Sequence, residues 1–178
     1  MGTPITIRRV GADDVQACVG PLADILVDCV EGGASVSFML PLPRASAVAF
    51  WQGVAQGVQN GERALLVAQD SSGQLVGTVQ LILAQPPNQP HRADVAKMLV
   101  RRSARRQGIA QRLMQAVDEL ARVEGKRVLV LDTVTGGDAE RLYARSGWTR
   151  VGVIPNYALM PDGAWCATTY FYKDLQAG

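Results

Sequence analysis

Apolar and polar positions change their period several times along the chain, and each change marks an element. Ile5-Thr6-Ile7-Arg8-Arg9-Val10 alternates with period two and predicts an opening strand. After Asp13 or Asp14, either of which can cap a helix, the period lengthens, and Val15, Cys18, Leu22, Ile25, Leu26 and Cys29 fall on one helical face. Pro21 lies inside that stripe and predicts a kink or a break. A second stripe (Val48, Trp51, Val54, Ala55, Val58) predicts a helix from about Ala45, closed by Asn60-Gly61. Ala64–Gln69 and Leu75–Leu83 read as strands joined by a hairpin connection, Asp70–Gln74, and Gln85–Pro90 is a loop by composition. The apolar run Val95–Val100 reads as a buried strand. It feeds a basic, glycine-bearing turn, Arg101–Gly108, and then a strongly periodic helix with Ile109, Leu113, Ala116, Val117 and Leu120 on one face, closed by Gly125. Lys126–Leu131 predicts another buried strand, ending at Asp132-Thr133. Gly136-Gly137 opens a short helix, Asp138–Arg145, closed by Gly147. Thr149–Ile154 and Thr168–Tyr172 predict a last antiparallel pair across a Pro155–Pro161 loop.

Composition narrows this picture without changing it. A chain of 178 residues with 48% hydrophobic and 19% charged positions is globular, and its length predicts one domain over residues 1–178 with a core of its own. A net charge of +2 gives no argument for a nucleic-acid partner. The cations are clustered, however: Lys97, Arg101, Arg102, Arg105, Arg106 and Arg112 surround the glycine turn. Cys18, Cys29 and Cys166 have neither metal-ligand nor disulfide-framework spacing, which predicts no metal site. With no secretory leader read at the start, they suggest a reducing, cytoplasmic setting. No apolar run approaches the roughly 20 residues that span a bilayer, so no membrane partner is expected.

Candidate chemistry lies where Val95–Val100 meets the glycine turn. A strand that feeds such a turn into a helix presents unpaired N–H groups and the positive end of the helix dipole, a place for phosphate. Neither the G-x-x-x-x-G-K-[ST] pattern nor G-x-G-x-x-G is present. Arg105-Arg106-Gln107-Gly108-Ile109-Ala110 instead has the form R-x-x-G-x-A, which alone also fits an ordinary loop with solvated arginines. It resembles the pyrophosphate signature Q/R-x-x-G-x-G/A of the GNAT superfamily of N-acetyltransferases. The resemblance implies acetyl-CoA as cofactor, cradled by Arg105, Arg106, Gln107, Gly108, Ile109, Ala110 and Gln111. It also implies that Met98, Leu99 and Val100 belong to the family's splayed strand, which pairs with the pantetheine. The predicted element order is that of the GNAT fold: α/β (α+β), one domain, a mixed central sheet of about seven strands flanked by about four helices. A second family element, N-x-x-A-x-x-L-Y followed by glycine and an aromatic residue, is met by Ala139, Leu142, Tyr143, Gly147 and Trp148, with Gly136 replacing the asparagine. By that resemblance Ala139 and Tyr143 touch the cofactor and Tyr143 is the general acid.

Asp94 and Asp132, at the start of one buried strand and the end of the next, are two candidates for the base that deprotonates the acceptor. Either carboxylate also fits a turn or cap. The segment from Asp28 to Met39, with paired glycines flanked by Glu31, Ser35 and Phe38, reads as a helix-to-helix connection or as a loop shaped for a ligand. Gly32–Met39, Arg92–Val95, Leu131–Thr133, Tyr157 and Pro161–Gly163 resemble the tabtoxin-resistance enzymes of the family, which acetylate a β-lactam plant toxin. That implies an acceptor site with Glu31, Gly33, Ser35, Phe38, Asp94, Asp132 and Tyr157. His91, the only histidine, sits in a proline-rich loop without a nucleophile signature, and no base is indicated for Cys166, so direct attack by the acceptor is expected. The expected protein is an acetyl-CoA-dependent transferase for an amine or hydroxyl of a small molecule, a toxin or antibiotic among them, working as a monomer or homodimer. A transferase for peptide or protein amines and a non-catalytic acyl-CoA sensor are the alternatives.

Overall fold

A computed structural model describes residues 4–176. Its strands are β1 (Thr6–Val10), β2 (Arg63–Gln69), β3 (Leu75–Ile82), β4 (Arg92–Val100), β5 (Val128–Val134), β6 (Thr149–Leu159) and β7 (Trp165–Asp174). Its α-helices are α1 (Val15–Glu31), α2 (Arg44–Gln59), α3 (Ile109–Val123) and α4 (Asp138–Arg145). The strands form one sheet in the order β1-β2-β3-β4-β5-β7-β6, and every pairing is antiparallel except β4 with β5.

β2 and β3 are buried on both faces because both faces are covered, and β3 buries Thr78 and Gln80 among its apolar residues. Leu66, Ala68, Val79 and Leu81 pack with Leu113, Val117 and Ala121 of α3. Leu65 and Val67 pack on the opposite side with Leu22, Leu26, Trp51 and Val54 of α1 and α2. Helices on both faces cover β1–β4, while α4 covers the β5–β7 half from the α3 side, with Tyr143 in that core.

The structure departs from the sequence reading at several points, β7 among them, which starts at Trp165 rather than Thr168. α1 runs unbroken through Pro21, its buried face carrying Val15, Cys18, Leu22, Ile25, Leu26 and Cys29 as the pattern predicts. Burial of that face outweighs the one backbone bond that proline removes. β4 starts at Arg92 rather than Val95. The Pro155–Pro161 loop is not a loop: β6 continues through Pro155 to Leu159. β6 is an edge strand, where a missing N–H is tolerated, and the ladder absorbs the proline in an irregularity between Ile154 and Ala158, with Asn156 at φ +52°. The true turn is tighter, closed by the Met160 N–H donating to the Ala164 carbonyl at 2.8 Å.

No helix among the described residues is long and apolar enough to cross a membrane. No group of three His, Cys, Asp or Glu residues suited to a metal ion is found among them either.

Candidate active site

β4 and β5 pair at only three positions, Arg92 with Val128, Ala93 with Leu129 and Asp94 with Val130. Beyond Asp94 the two parallel strands part. β4 stays hydrogen-bonded to β3 and β5 to β7, so the sheet opens into a V rather than fraying. The opening is lined by residues 95–100 on one side and 131–134 on the other, and continues into a cleft of about 1250 Å³. That exceeds the roughly 300–1,000 Å³ of a single small-ligand pocket and leaves space for two reactants side by side.

A β-bulge helps to open it. Thr78 pairs with Leu99 but Gln80 pairs with Ala96, so β4 carries one residue more than β3 at this point. The bulge holds Lys97 at φ +52°, a conformation that lysine adopts only at a cost of about 1–2 kcal/mol.

At one end of the cleft lies the turn into α3. Gly108 is the N-cap of that helix at φ +74°, and a Cβ built there meets nothing within 4 Å. The left-handed backbone and the open space above it leave the first-turn N–H groups of α3 free to receive an anion. Arg105, Arg106, Arg141 and Arg145 also line the cleft, all exposed, so cations gather where the helix dipole is positive. Arg102 ties this turn to α1: its backbone N–H donates to Asp28 Oδ2 at 2.7 Å and its Nε to Asp28 Oδ1 at 2.9 Å. Burial alone would raise the Asp28 carboxyl, but the Arg102 N–H and guanidinium outweigh it and hold it below the usual aspartate value.

The opposite end is closed by the segment after α1. Gly32–Met39 lines the cleft, Ser35 Oγ donates to the Leu159 carbonyl at 3.3 Å, and the Leu40 N–H donates to the Pro161 carbonyl at 3.0 Å. The glycine-rich connection is therefore a wall against the β6–β7 hairpin. Gly33 (φ +89°) supplies the turn it needs.

Between the ends stand Asp132 and Tyr143, on opposite sides of β5. Asp132 is exposed to the cleft and its Oδ2 accepts from Thr168 Oγ1 at 2.9 Å. Tyr143 is 5% exposed, its ring edge-on to Phe171 and tilted against Trp148, with centroids 6.0 Å away in both cases. Its hydroxyl has no protein hydrogen-bond partner among the described residues, and burial, reinforced by the Asp132 charge, holds its pKa well above 10. A phenol in that setting keeps its proton at any working pH and is suited to give it to a stronger base formed in the cleft.

Of the residues singled out from the sequence, Met98, Leu99, Val100, Arg105, Arg106, Gly108, Ile109, Ala110, Gln111, Ala139 and Tyr143 line the cleft, as do Gly33, Ser35, Phe38, Asp132 and Tyr157. Gln107, Glu31 and Asp94 lie outside the lining. Glu31 is paired with Arg102 at 3.7 Å. Asp94 sits at the last paired position of β4, where the strands have not yet parted. Its carboxylate is held by the Arg92 guanidinium and by Gln85 Nε2 at 3.1 Å. The two aspartates share a sheet face but not the cleft. Gly136, in the place of the expected asparagine, adopts φ +83°, and the Glu140 carboxylate accepts its N–H together with Thr169 Oγ1 at 2.9 Å. Glu140 thereby fixes the turn before α4.

Lys97 and Tyr170 were not picked out from the sequence as site residues. Tyr170 hydrogen-bonds Tyr157, hydroxyl to hydroxyl, at 2.9 Å, and is cross-strand to Asp132. The Tyr157 hydrogen bond, then burial and the nearby Asp132 and Asp94 charges, push the Tyr170 hydroxyl up to about 12. A cross-strand neighbour is legible only once the β5–β7 register is known.

A cleft in a splayed parallel pair, with an anion-receiving helix start at one end, matches known proteins. The acetyltransferase (GNAT) family profile covers residues 37–148. The chain belongs to the GNAT family of acetyltransferases. An N-acetyltransferase of Azospirillum brasilense, described as uncharacterised and encoded between hisH and hisA, is 35% identical over 133 residues, covering 73% of this chain and 76% of that protein. An N-acetyltransferase from Staphylococcus aureus Mu50 superposes with a TM-score of 0.78 over 97% of this chain and 99% of that one, at 20% identity. The Salmonella typhimurium protein yncA, solved with its cofactor acetyl-CoA, gives 0.76 over 97% and 95%, at 19% identity. At these identities the two structures establish the fold: this GNAT acetyltransferase has the single-domain, seven-stranded mixed sheet and four helices expected.

Proposed function

We propose that this GNAT acetyltransferase binds acetyl-CoA in the V between β4 and β5 and transfers the acetyl group by direct attack of a small-molecule amine held against Asp132. The observation that carries the reading is that one cleft is lined by the free N-terminal turn of α3, by Asp132 and by Tyr143. Gly108 to Gln111, with Arg105 and Arg106, would hold the pyrophosphate, and the unpaired β4 edge at Met98–Val100 would hold the pantetheine arm. Bound there, acetyl-CoA supplies an acetyl group as a thioester.

This chain's residues then have three tasks. Asp132 takes a proton from the acceptor ammonium and frees the nitrogen lone pair. β4 holds donor and acceptor in line, so that the new C–N bond forms as the C–S bond breaks. Tyr143 gives its proton to the departing sulfur and is reprotonated afterwards. Asp94, bound to Arg92 and Gln85, supports the strand pair at the base of the V, which leaves Asp132 as the base. The wall from Gly32 to Met39 favours a small acceptor over a peptide, since it meets the β6–β7 hairpin and closes the groove a peptide would need. The sequence resemblance to toxin-acetylating enzymes is the ground for including β-lactam amino acids such as tabtoxinine-β-lactam among the acceptors to be tried.

Thiol release from acetyl-CoA across a panel of tabtoxinine-β-lactam, amino acids, polyamines, aminoglycosides and a peptide amine tests this. The expected result is saturable release with a small amine and intersecting double-reciprocal lines. Parallel lines would indicate a covalent acetyl-enzyme and remove direct attack. Tight acetyl-CoA binding with no acceptor-dependent release would favour the sensor reading.

A further inference from the structure

Five cationic side chains line the cleft, and Lys97 differs from the rest. Arg105, Arg106, Arg141 and Arg145 are exposed at the mouth, whereas Lys97 is half-buried in the wall, next to the acceptor end. Its Nζ lies 5.5 Å from the Phe50 ring centroid and 3.3 Å from Ser37 Oγ. A lysine has three N–H donors, and here one hydroxyl and an aromatic face are its neighbours. It takes part in none of the ion pairs among the described residues. Burial depresses its pKa, Asp132 across the cleft offsets part of that, and the Arg63 charge lowers it further, so the ammonium is held there at a net cost. The backbone also bends for it, since Lys97 is held at positive φ by the bulge. A strained, desolvated cation without a carboxylate partner is costly unless something bound later provides one.

We infer that Lys97 binds an anionic group of the acceptor, so that the acetylated molecule is a compact zwitterion with its amine toward Asp132 and its carboxylate toward Lys97 and Ser37. Asp132 and Lys97 face the same space from β5 and β4 without meeting, and a molecule carrying both charges would fill the gap and satisfy both walls. Ser37, at φ +77°, presents its hydroxyl beside the ammonium as a further donor to the carboxylate. The inference rests on the acetyl-transfer reading above and narrows its substrate class.

The test compares each standard L-amino acid, and tabtoxinine-β-lactam, with its own carboxamide in the thiol-release assay. The wild-type protein is expected to prefer the best acid over its amide by at least about tenfold in kcat/KM, carried mainly by KM. Lys97→Met removes that preference through KM, and Lys97→Arg retains part of it, although a purely structural lysine would leave the acid-to-amide ratio unchanged in both. Equal use of acid and amide by the wild-type protein, or a preference that persists in Lys97→Met, overturns the inference, and so does turnover confined to amines without a carboxylate. Absence of acceptor-dependent release with every amine would instead remove the transferase reading itself.

Discussion

Tyr143 and Phe171 stack edge to face, so Tyr143→Phe deletes one hydroxyl while leaving the aromatic packing intact. Loss of the general acid should lower kcat on the order of 10²-fold, with acetyl-CoA affinity within about twofold. A wild-type kcat would make Tyr143 a core residue only. Lys97 carries a prediction of the opposite sign for stability. Its folded-state pKa lies below its unfolded value, so burying the ammonium costs stability wherever both states are protonated. The cost shrinks as pH rises from the lowered folded value toward 10.5 and is gone above it. Lys97→Met keeps the positive φ but removes the buried charge, so it should be about 1 kcal/mol more stable than wild type in urea at pH 7, a common scale for a stabilising substitution. The gap should close in strongly alkaline solution. A less stable variant at pH 7 would mean that the Phe50 and Ser37 contacts outweigh desolvation. Neither the bulge nor the sign of this effect is legible in the sequence, because Val95–Val100 reads as an ordinary buried strand with one lysine in it.

Among the elements, α3 and the turn before it were the most legible. The five-position apolar stripe marked the helix and the glycine-bearing turn before it marked its start, where Gly108 stands as a left-handed N-cap. What the pattern did not show is how the turn is braced. Asp28, at the end of α1, accepts two hydrogen bonds from Arg102, joining the anion-binding turn to the wall of the acceptor pocket. Asp28→Asn should destabilise the fold by about 1–2 kcal/mol at pH 7 and raise the KM for acetyl-CoA several-fold. The carboxylate's folded pKa is depressed, so its contribution is present above about 3.8 and lost as pH falls through the lower folded value. Wild type and variant should thus converge in acid denaturation below that range, and parallel curves down to pH 2 would contradict the brace. β6 was misread because proline signals a loop wherever ladder N–H groups are needed. At an edge, with a register irregularity beside it, that signal loses its force.

Across the whole molecule, element order was readable because each change of hydrophobic period falls at a boundary. Which half of the sheet opens was not. Splaying depends on where the β4–β5 pairing stops, three positions in, and no local pattern encodes that point. The same limit left Asp94 and Asp132 as equal candidates. Their strand positions are similar, and only the opening of the V between them puts Asp132 in the cleft and leaves Asp94 at its base. Asp132→Asn should therefore reduce kcat on the order of 10²-fold or more, whereas Asp94→Asn should act mainly on stability. The reverse ranking would move the reacting centre toward the base of the V.

Every proposed role in the cleft requires that the start of α3 hold acetyl-CoA. Isothermal titration of acetyl-CoA into the wild-type protein and into Gly108→Glu tests that most directly. The carboxylate would stand in the open space above Gly108, and its left-handed backbone would cost the variant about 1–2 kcal/mol of stability, so a melting curve accompanies the titration. Saturable binding to wild type, weakened at least about a hundredfold in a folded Gly108→Glu, is the predicted result. Affinity within about threefold of wild type in the folded variant would contradict it.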